Sequence, residues 1–179
     1  MVAKAEALDL RQLISDYHDF PKPGILFRDI NPVFRNNEAL NFIVNEFARR
    51  FGKAKIDAVA GIESRGFVIA TALALKFGTG VIMIRKAGKL PGTTISRSYE
   101  IEYGSATMEV QRDAIREGNS ILIADDLIAT GGTAVAASEL IEDLGGKVAG
   151  FAFVIELASL EGSARLREMG YQVHSLVTY

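Results

Sequence analysis

At 179 residues the chain has the size of one domain, and its 49% hydrophobic and 23% charged content is that of a globular protein rather than a disordered one. It contains no cysteine, which excludes disulfides, thiolate catalysis and cysteine-based metal sites. A net charge of −2 supplies no global positive field for a nucleic-acid backbone, and no apolar run approaches the ~20 residues that span a bilayer.

The opening MVAKAEALDLRQLI lacks a signal peptide's apolar run and cleavage site, so the expectation is a soluble, cytoplasmic protein with neither nucleic-acid nor membrane partners. Residues 8–17 read as a helix with Leu10, Leu13 and Ile14 on one face. DFPKPG, with two prolines and a glycine, forces a loop. A second helix is expected over Asn37–Phe51, with Leu40, Ile43, Val44 and Phe47 as its stripe. IDAVAGI (56–62) reads as a buried strand, followed by ESRG and an apolar helix, FVIATALALKFG.

GVIMI (80–84) reads as a second buried strand. RKAGKLPGTTISRSYEIEYGSATMEV is polar and glycine-bearing, and reads as a long loop flanked by weak strands. SILIA (120–124) is a third buried strand, leading through a glycine-rich turn into a helix over 133–144. KVAGFAFVIEL, SLEGSARLREMG and YQVHSLVTY then read as strand, helix and strand. Strands alternating with helices imply βαβ units, hence an α/β fold with a mostly parallel, doubly wound sheet flanked by helices. No repeat, low-complexity segment or linker interrupts it, so residues 1–179 are expected to form a single domain. Ligands of such sheets sit beyond the carboxyl ends of the strands.

ILIADDLIATGGT (121–133) carries the most chemistry. A buried strand delivers Asp125 and Asp126, and the turn Ala129-Thr130-Gly131-Gly132-Thr133 opens a helix. The first turn of a helix leaves N–H groups unpaired beside the positive end of its dipole, and two glycines let a phosphate come close. The aspartates would repel a phosphate but suit the two hydroxyls of a ribose, so one sugar phosphate satisfies both features. The bland alternative is a tight strand–helix turn. No G-x-x-x-x-G-K-[S/T] loop and no dinucleotide fingerprint competes. Arg65, in the turn GIESRGF, could clamp a diphosphate bidentately, or simply be a solvated cation beside a capping Ser64.

On ILIADDLIATGGT, GIESRGF, RKAGKLPG, SYEIEYG and FPKPGILFRDI, the chain resembles the type I phosphoribosyltransferases over nearly its whole length, and within them the branch that uses adenine. The resemblance implies transfer of phosphoribose from 5-phosphoribosyl 1-pyrophosphate to adenine, giving AMP and pyrophosphate in purine salvage. It implies a base-binding hood within about 1–35 and a mobile catalytic loop within about 85–110. Arg65, Lys86 and Lys89 would hold pyrophosphate, and Arg85 would reach the site of a neighbouring subunit in a homodimer. Leu26, Phe27 and Arg28 would bind adenine, with Leu157 on its other face. Glu102 would be the general acid/base and Tyr103 a shield, with Glu100 as rival to Glu102. Read without the resemblance, YEIEYG is a short amphipathic strand beside a glycine turn. Mg²⁺ would ride mainly on substrate oxygens, with no metal cage from the protein. His18 and His174 are isolated and expected to be bystanders. A relative using hypoxanthine or xanthine, or a regulator of the same fold, are the alternatives; the regulator would need a DNA-binding segment.

Overall fold

The computed structural model describes residues 8–101 and 104–179, and the chain divides into two compact units, Met1–Glu46 and Phe47–Tyr179. The first opens with a 3₁₀ turn, Leu10–Gln12, capped by the Asp9 carboxylate, which accepts the Arg11 N–H at 3.0 Å. The chain then forms β1 (Ser15–His18), antiparallel to β2 (Leu26–Asp29), with Asp16 opposite Arg28 and His18 opposite Leu26. The helix expected over 8–17 is therefore corrected to one short turn and a strand. The spacing of Leu10 and Ile14 fits a single tight turn as well as a helix, and both are buried by it. The polar SDYH that follows has no apolar stripe to bury, so its backbone pairs with β2 instead. DFPKPG is the hairpin connection, tied by Asp19 Oδ1, which accepts the Gly24 N–H at 2.7 Å.

A single helical turn, α1 (Asn31–Phe34), precedes α2 (Asn37–Phe51). The Asn36 side chain caps α2, accepting the Ala39 N–H at 3.0 Å. Its buried line is Ala39, Ile43, Phe47 and Phe51, four apart, while Leu40 and Val44 flank it half-buried.

In the second unit, seven strands among the described residues form one sheet in the order β5-β6-β4-β3-β7-β8-β9. The elements are β3 (Ala58–Ile62), α3 (Gly66–Phe77), β4 (Gly80–Lys86), β5 (Thr94–Ile101), β6 (Gly104–Gln111), β7 (Ser120–Ile128), α4 (Gly132–Asp143), β8 (Lys147–Glu156), α5 (Gly162–Glu168) and β9 (Val173–Thr178). The run from β4 through β3, β7 and β8 to β9 is parallel. Its central strands are almost wholly apolar because helices cover both faces. The core holds Ile62, Ile123, Leu140, Phe151 and Phe153, with the two phenylalanine rings stacked at 5.8 Å. Each such side chain contributes about 1.5–3 kcal/mol on burial.

Three expectations change. β4 is buried on one face only, through Ile82 and Ile84, while Val81 and Met83 are exposed. β7 does not stop at Ala124 but continues through both aspartates to Ile128, paired with β8. The stretch read as a long loop is mostly an antiparallel hairpin of two eight-residue strands, β5 and β6. Its polar residues hide the alternation, but Ile95 faces Val110, and the Ser98 and Thr107 hydroxyls meet at 2.9 Å. The end of β4 carries this hairpin, with Arg85 opposite Glu109 and Lys86 opposite Met108.

Candidate active site

A cavity of about 530 Å³ opens beyond the carboxyl ends of β3, β4 and β7. Register places these ends side by side, Ile62 beside Ile84 and Gly61 beside Ala124. The turns that follow therefore converge: Glu63, Ser64 and Arg65 after β3, Lys86 at the end of β4, and Ala129 through Thr133 after β7 all line the cavity.

The turn after β7 is shaped by two glycines thirty-one residues apart. Gly131 precedes α4 with φ +82°, a left-handed conformation that side chains resist. The N-terminus of α4 has no side-chain cap among the described residues, and its first residues, Gly132, Thr133 and Ala134, line the cavity. Behind the turn stands Gly162, whose N–H donates to the Ala129 carbonyl at 3.0 Å. A Cβ on Gly162 would lie 2.2 Å from that same carbonyl oxygen. The turn has its shape because α5 begins with a residue that has no side chain.

Asp125 and Asp126 both line the cavity, inside β7 rather than after it. The Asp125 carboxylate accepts the Asp126 N–H at 2.8 Å. Arg65 Nε stands 2.8 Å from Asp126 Oδ2, as an ion pair rather than an aligned hydrogen bond. Burial pushes the Asp125 carboxyl well above the usual range, and the neighbouring Asp126 charge pushes the same way. Asp126 is also raised by burial, with the Arg65 guanidinium pulling against it. Two neighbouring carboxyl groups thus line the cavity with one cation, Arg65, paired to Asp126, an arrangement whose burial is costly.

The cationic segment is organised by Glu63. Its Oε2 accepts the Lys86 backbone N–H at 3.0 Å and Arg85 Nε–H at 3.2 Å, which holds its carboxyl below the usual range although burial opposes this. Arg85 Nη1 also donates to the Lys89 carbonyl at 2.9 Å. Arg85 is thereby engaged within its own chain. Lys86 lines the cavity; Arg85 and Lys89 do not.

The first unit carries its own hollow of about 460 Å³, bounded by Tyr17, Phe20, Phe27, Asp29 and Asn31. Phe20 and Phe27 meet edge to face at 5.1 Å. Leu26 is exposed, and Arg28 forms an ion pair with Asp16 across the hairpin.

The phosphoribosyl transferase domain family matches residues 33–173. The chain belongs to that family. An adenine phosphoribosyltransferase of Nitrosopumilus maritimus is 52% identical over 172 residues, which cover 96% of this chain and 100% of the relative. Among solved structures, the adenine phosphoribosyltransferase of Rhodothermus marinus is 45% identical with a TM-score of 0.90, covering 95% of this chain and 96% of the other. The enzyme of Saccharomyces cerevisiae, complexed with D-2,5-dideoxy-2,5-imino-altritol 1,6-bisphosphate and adenine, is 42% identical with a TM-score of 0.87, over 93% and 96%.

Within this phosphoribosyl transferase domain, the cavity gathers Arg65, Lys86, Asp125, Asp126 and Ala129 through Thr133. Leu157 lies just past β8, its N–H bonded to the Ile128 carbonyl at 3.0 Å, and is not among the lining residues. Glu102 and Tyr103 lie outside the described residues. Sequence reasoning missed Tyr99, Met108 and Phe153, which line the cavity from β5, β6 and β8. Alternation along each strand was the available signal, but which face meets the cavity depends on the β5–β6 register. Tyr17 in the hairpin hollow was likewise missed, because its segment was read as helix.

Proposed function

We propose that the chain transfers the 5-phosphoribosyl group of 5-phosphoribosyl 1-pyrophosphate to adenine, releasing AMP and pyrophosphate. The observation that carries this reading is one cavity holding an uncapped helix N-terminus, a buried aspartate pair, Arg65 and Lys86. The names of the relatives and the adenine in the yeast structure support the choice of base.

In this reading the 5-phosphate sits on the N–H groups of 131–133, with the Thr130 and Thr133 hydroxyls as further donors. Asp125 and Asp126 accept the ribose hydroxyls. Arg65 and Lys86 face the pyrophosphate, with Lys89 and Arg85 as the further cations of that segment. The bond between the anomeric carbon and the pyrophosphate oxygen breaks, its electron pair leaving with pyrophosphate, and a purine nitrogen bonds to the same carbon. The proton shed by the base passes to Glu102, and Tyr103 shields the site from competing water. Leu26, Phe27 and Arg28 hold adenine.

Mg²⁺ arrives on the substrate. An ion carried in this way would complete its shell with substrate oxygens and water, as Mg²⁺ prefers. The enzyme acts as a homodimer in the cytoplasm. No helix among the described residues is long and apolar enough to cross a membrane. Val68 and Leu75 on α3, with Val81 and Met83 on β4, are exposed apolar side chains on two elements that pack together, as a subunit interface requires.

The deciding experiment is a base panel: radiolabelled adenine, hypoxanthine, guanine and xanthine with the pyrophosphate donor and Mg²⁺. Adenine is expected to turn over fastest. Faster use of hypoxanthine or guanine overturns the specificity, and no turnover of any base overturns the reaction.

A further inference from the structure

Glu109 has no part in the transfer described above, yet it is a carboxylate only 6% exposed. β6 turns Met108 into the cavity and, because side chains alternate along a strand, turns Glu109 to the opposite face. There its Oε1 accepts the N–H groups of Lys89 and Leu90, both at 2.9 Å, and its Oε2 accepts the Thr94 hydroxyl at 3.4 Å. Burial alone would push this carboxyl up. The amides of Leu90, Gly88 and Lys89, with the Thr94 hydroxyl, outweigh burial and keep it ionised at neutral pH.

The same loop is gripped from its carbonyl side. Arg85 Nη1 donates to the Lys89 carbonyl at 2.9 Å, while Arg85 Nε donates to Glu63 Oε2 at 3.2 Å. That oxygen also accepts the Lys86 N–H at 3.0 Å. One continuous set of charge-assisted bonds therefore runs from Glu109, through the Lys89 backbone, Arg85 and Glu63, to the backbone of Lys86. The Lys86 side chain lines the cavity.

We propose that Glu109 is a positioning residue for pyrophosphate: it fixes the 88–90 loop, and through Arg85 and Glu63 it fixes the backbone from which Lys86 and Lys89 present their cations. The proposal rests on the function given above. A carboxylate suits this task because one oxygen can satisfy two adjacent amides that a tight loop cannot pair with each other. Without it the amides must turn toward water, and the loop turns with them.

The test uses Glu109→Met, which keeps bulk but removes both acceptors, and Glu109→Gln, which keeps one acceptor without the charge. Binding of inorganic pyrophosphate with Mg²⁺ is measured by calorimetry, alongside KM for donor and for adenine. For Glu109→Met, pyrophosphate Kd and donor KM are expected to rise about tenfold while adenine KM stays within about twofold. For Glu109→Gln the loss is about threefold, because the carbonyl still accepts the amides. If both variants fold and bind pyrophosphate like the wild type, even with lower melting temperatures, Glu109 is scaffold only and the proposal fails. It fails equally if donor and adenine KM rise together. Should Glu109→Met not fold, Glu109→Gln decides on the same readouts. A wild-type chain that binds pyrophosphate but turns over no base overturns the function while leaving the Glu109 comparison standing. A wild type that binds no pyrophosphate overturns both.

Discussion

Asp125 and Asp126, proposed above to bind ribose, show how such a role can cost stability. Their raised carboxyl groups mean that the folded chain holds those protons more tightly than the unfolded chain does. The sign follows: the stability tied to protonated Asp125 is complete below about pH 4, the unfolded value, and is lost as pH rises through the higher folded value. Asp125→Asn keeps an oxygen to accept the Asp126 N–H and removes the charge. It is expected to raise the melting temperature at pH 7 by a few degrees, about 2–4 °C per kcal/mol, with the gain shrinking toward pH 4. Calorimetric melts at the two pH values check this, and an equal gain at both would show that charge is not the cause. Asp126→Asn also loses the Arg65 ion pair, and is expected to raise donor KM about tenfold with the fold intact. Unchanged kinetics in both Asn variants would remove the ribose role. For Glu102→Gln the expectation is a kcat lowered by ~10²-fold or more, with a smaller change in donor KM. Loss of kcat in Glu100→Gln instead would move the role to Glu100.

At the scale of elements, the 129–133 turn is held between α4, the β5 strand and the start of α5. A Cβ on Gly132 would lie 3.3 Å from the Glu100 carbonyl and 3.5 Å from the Tyr99 ring. Gly132→Val therefore crowds β5 and obstructs the turn, and donor binding measured by calorimetry should be lost. Gly162 makes the sharper test, since it lies outside the recognisable motif. Its missing side chain is replaced by the Ala129 carbonyl, so Gly162→Ala must push the turn by about an ångström and is expected to lower donor kcat/KM by about 10²-fold. A variant that melts lower but keeps its kcat/KM would show that the turn tolerates displacement. Gly131 could be read from its motif. Gly162 could not, because its partner, the Ala129 carbonyl, is thirty-three residues away and the contact is backbone to backbone. The β5–β6 hairpin was half legible for a similar reason. Its alternation is present in TISRSYEI and SATMEVQ, but Arg97 interrupts the apolar face and small or polar residues fill the rest, so hydrophobicity alone does not separate strand from loop.

For the whole molecule, the proposed dimer predicts twice the chain mass by light scattering. Leu75→Glu, at a side chain 79% exposed, should shift the species toward monomer without unfolding it. A wild type that is monomeric at assay concentration would remove the interface and the trans role expected of Arg85. The sequence by itself determined the βαβ succession, because buried parallel strands must be written as short apolar runs between helical periods. It also determined the strand–Asp–Asp–glycine turn, because the phosphate and ribose proposed to bind there would impose those residue types locally, at fixed spacing. Tertiary structure alone decided what depends on register and on partners distant in the chain. It set Arg65 against Asp126, Arg85 against Glu63, Glu109 under the Lys89 amides and Gly162 behind the Ala129 carbonyl. The physical reason is common to all four. A charge or a glycine can be read from sequence as a type, but its energy is set by the group that faces it, and strand order chooses that group.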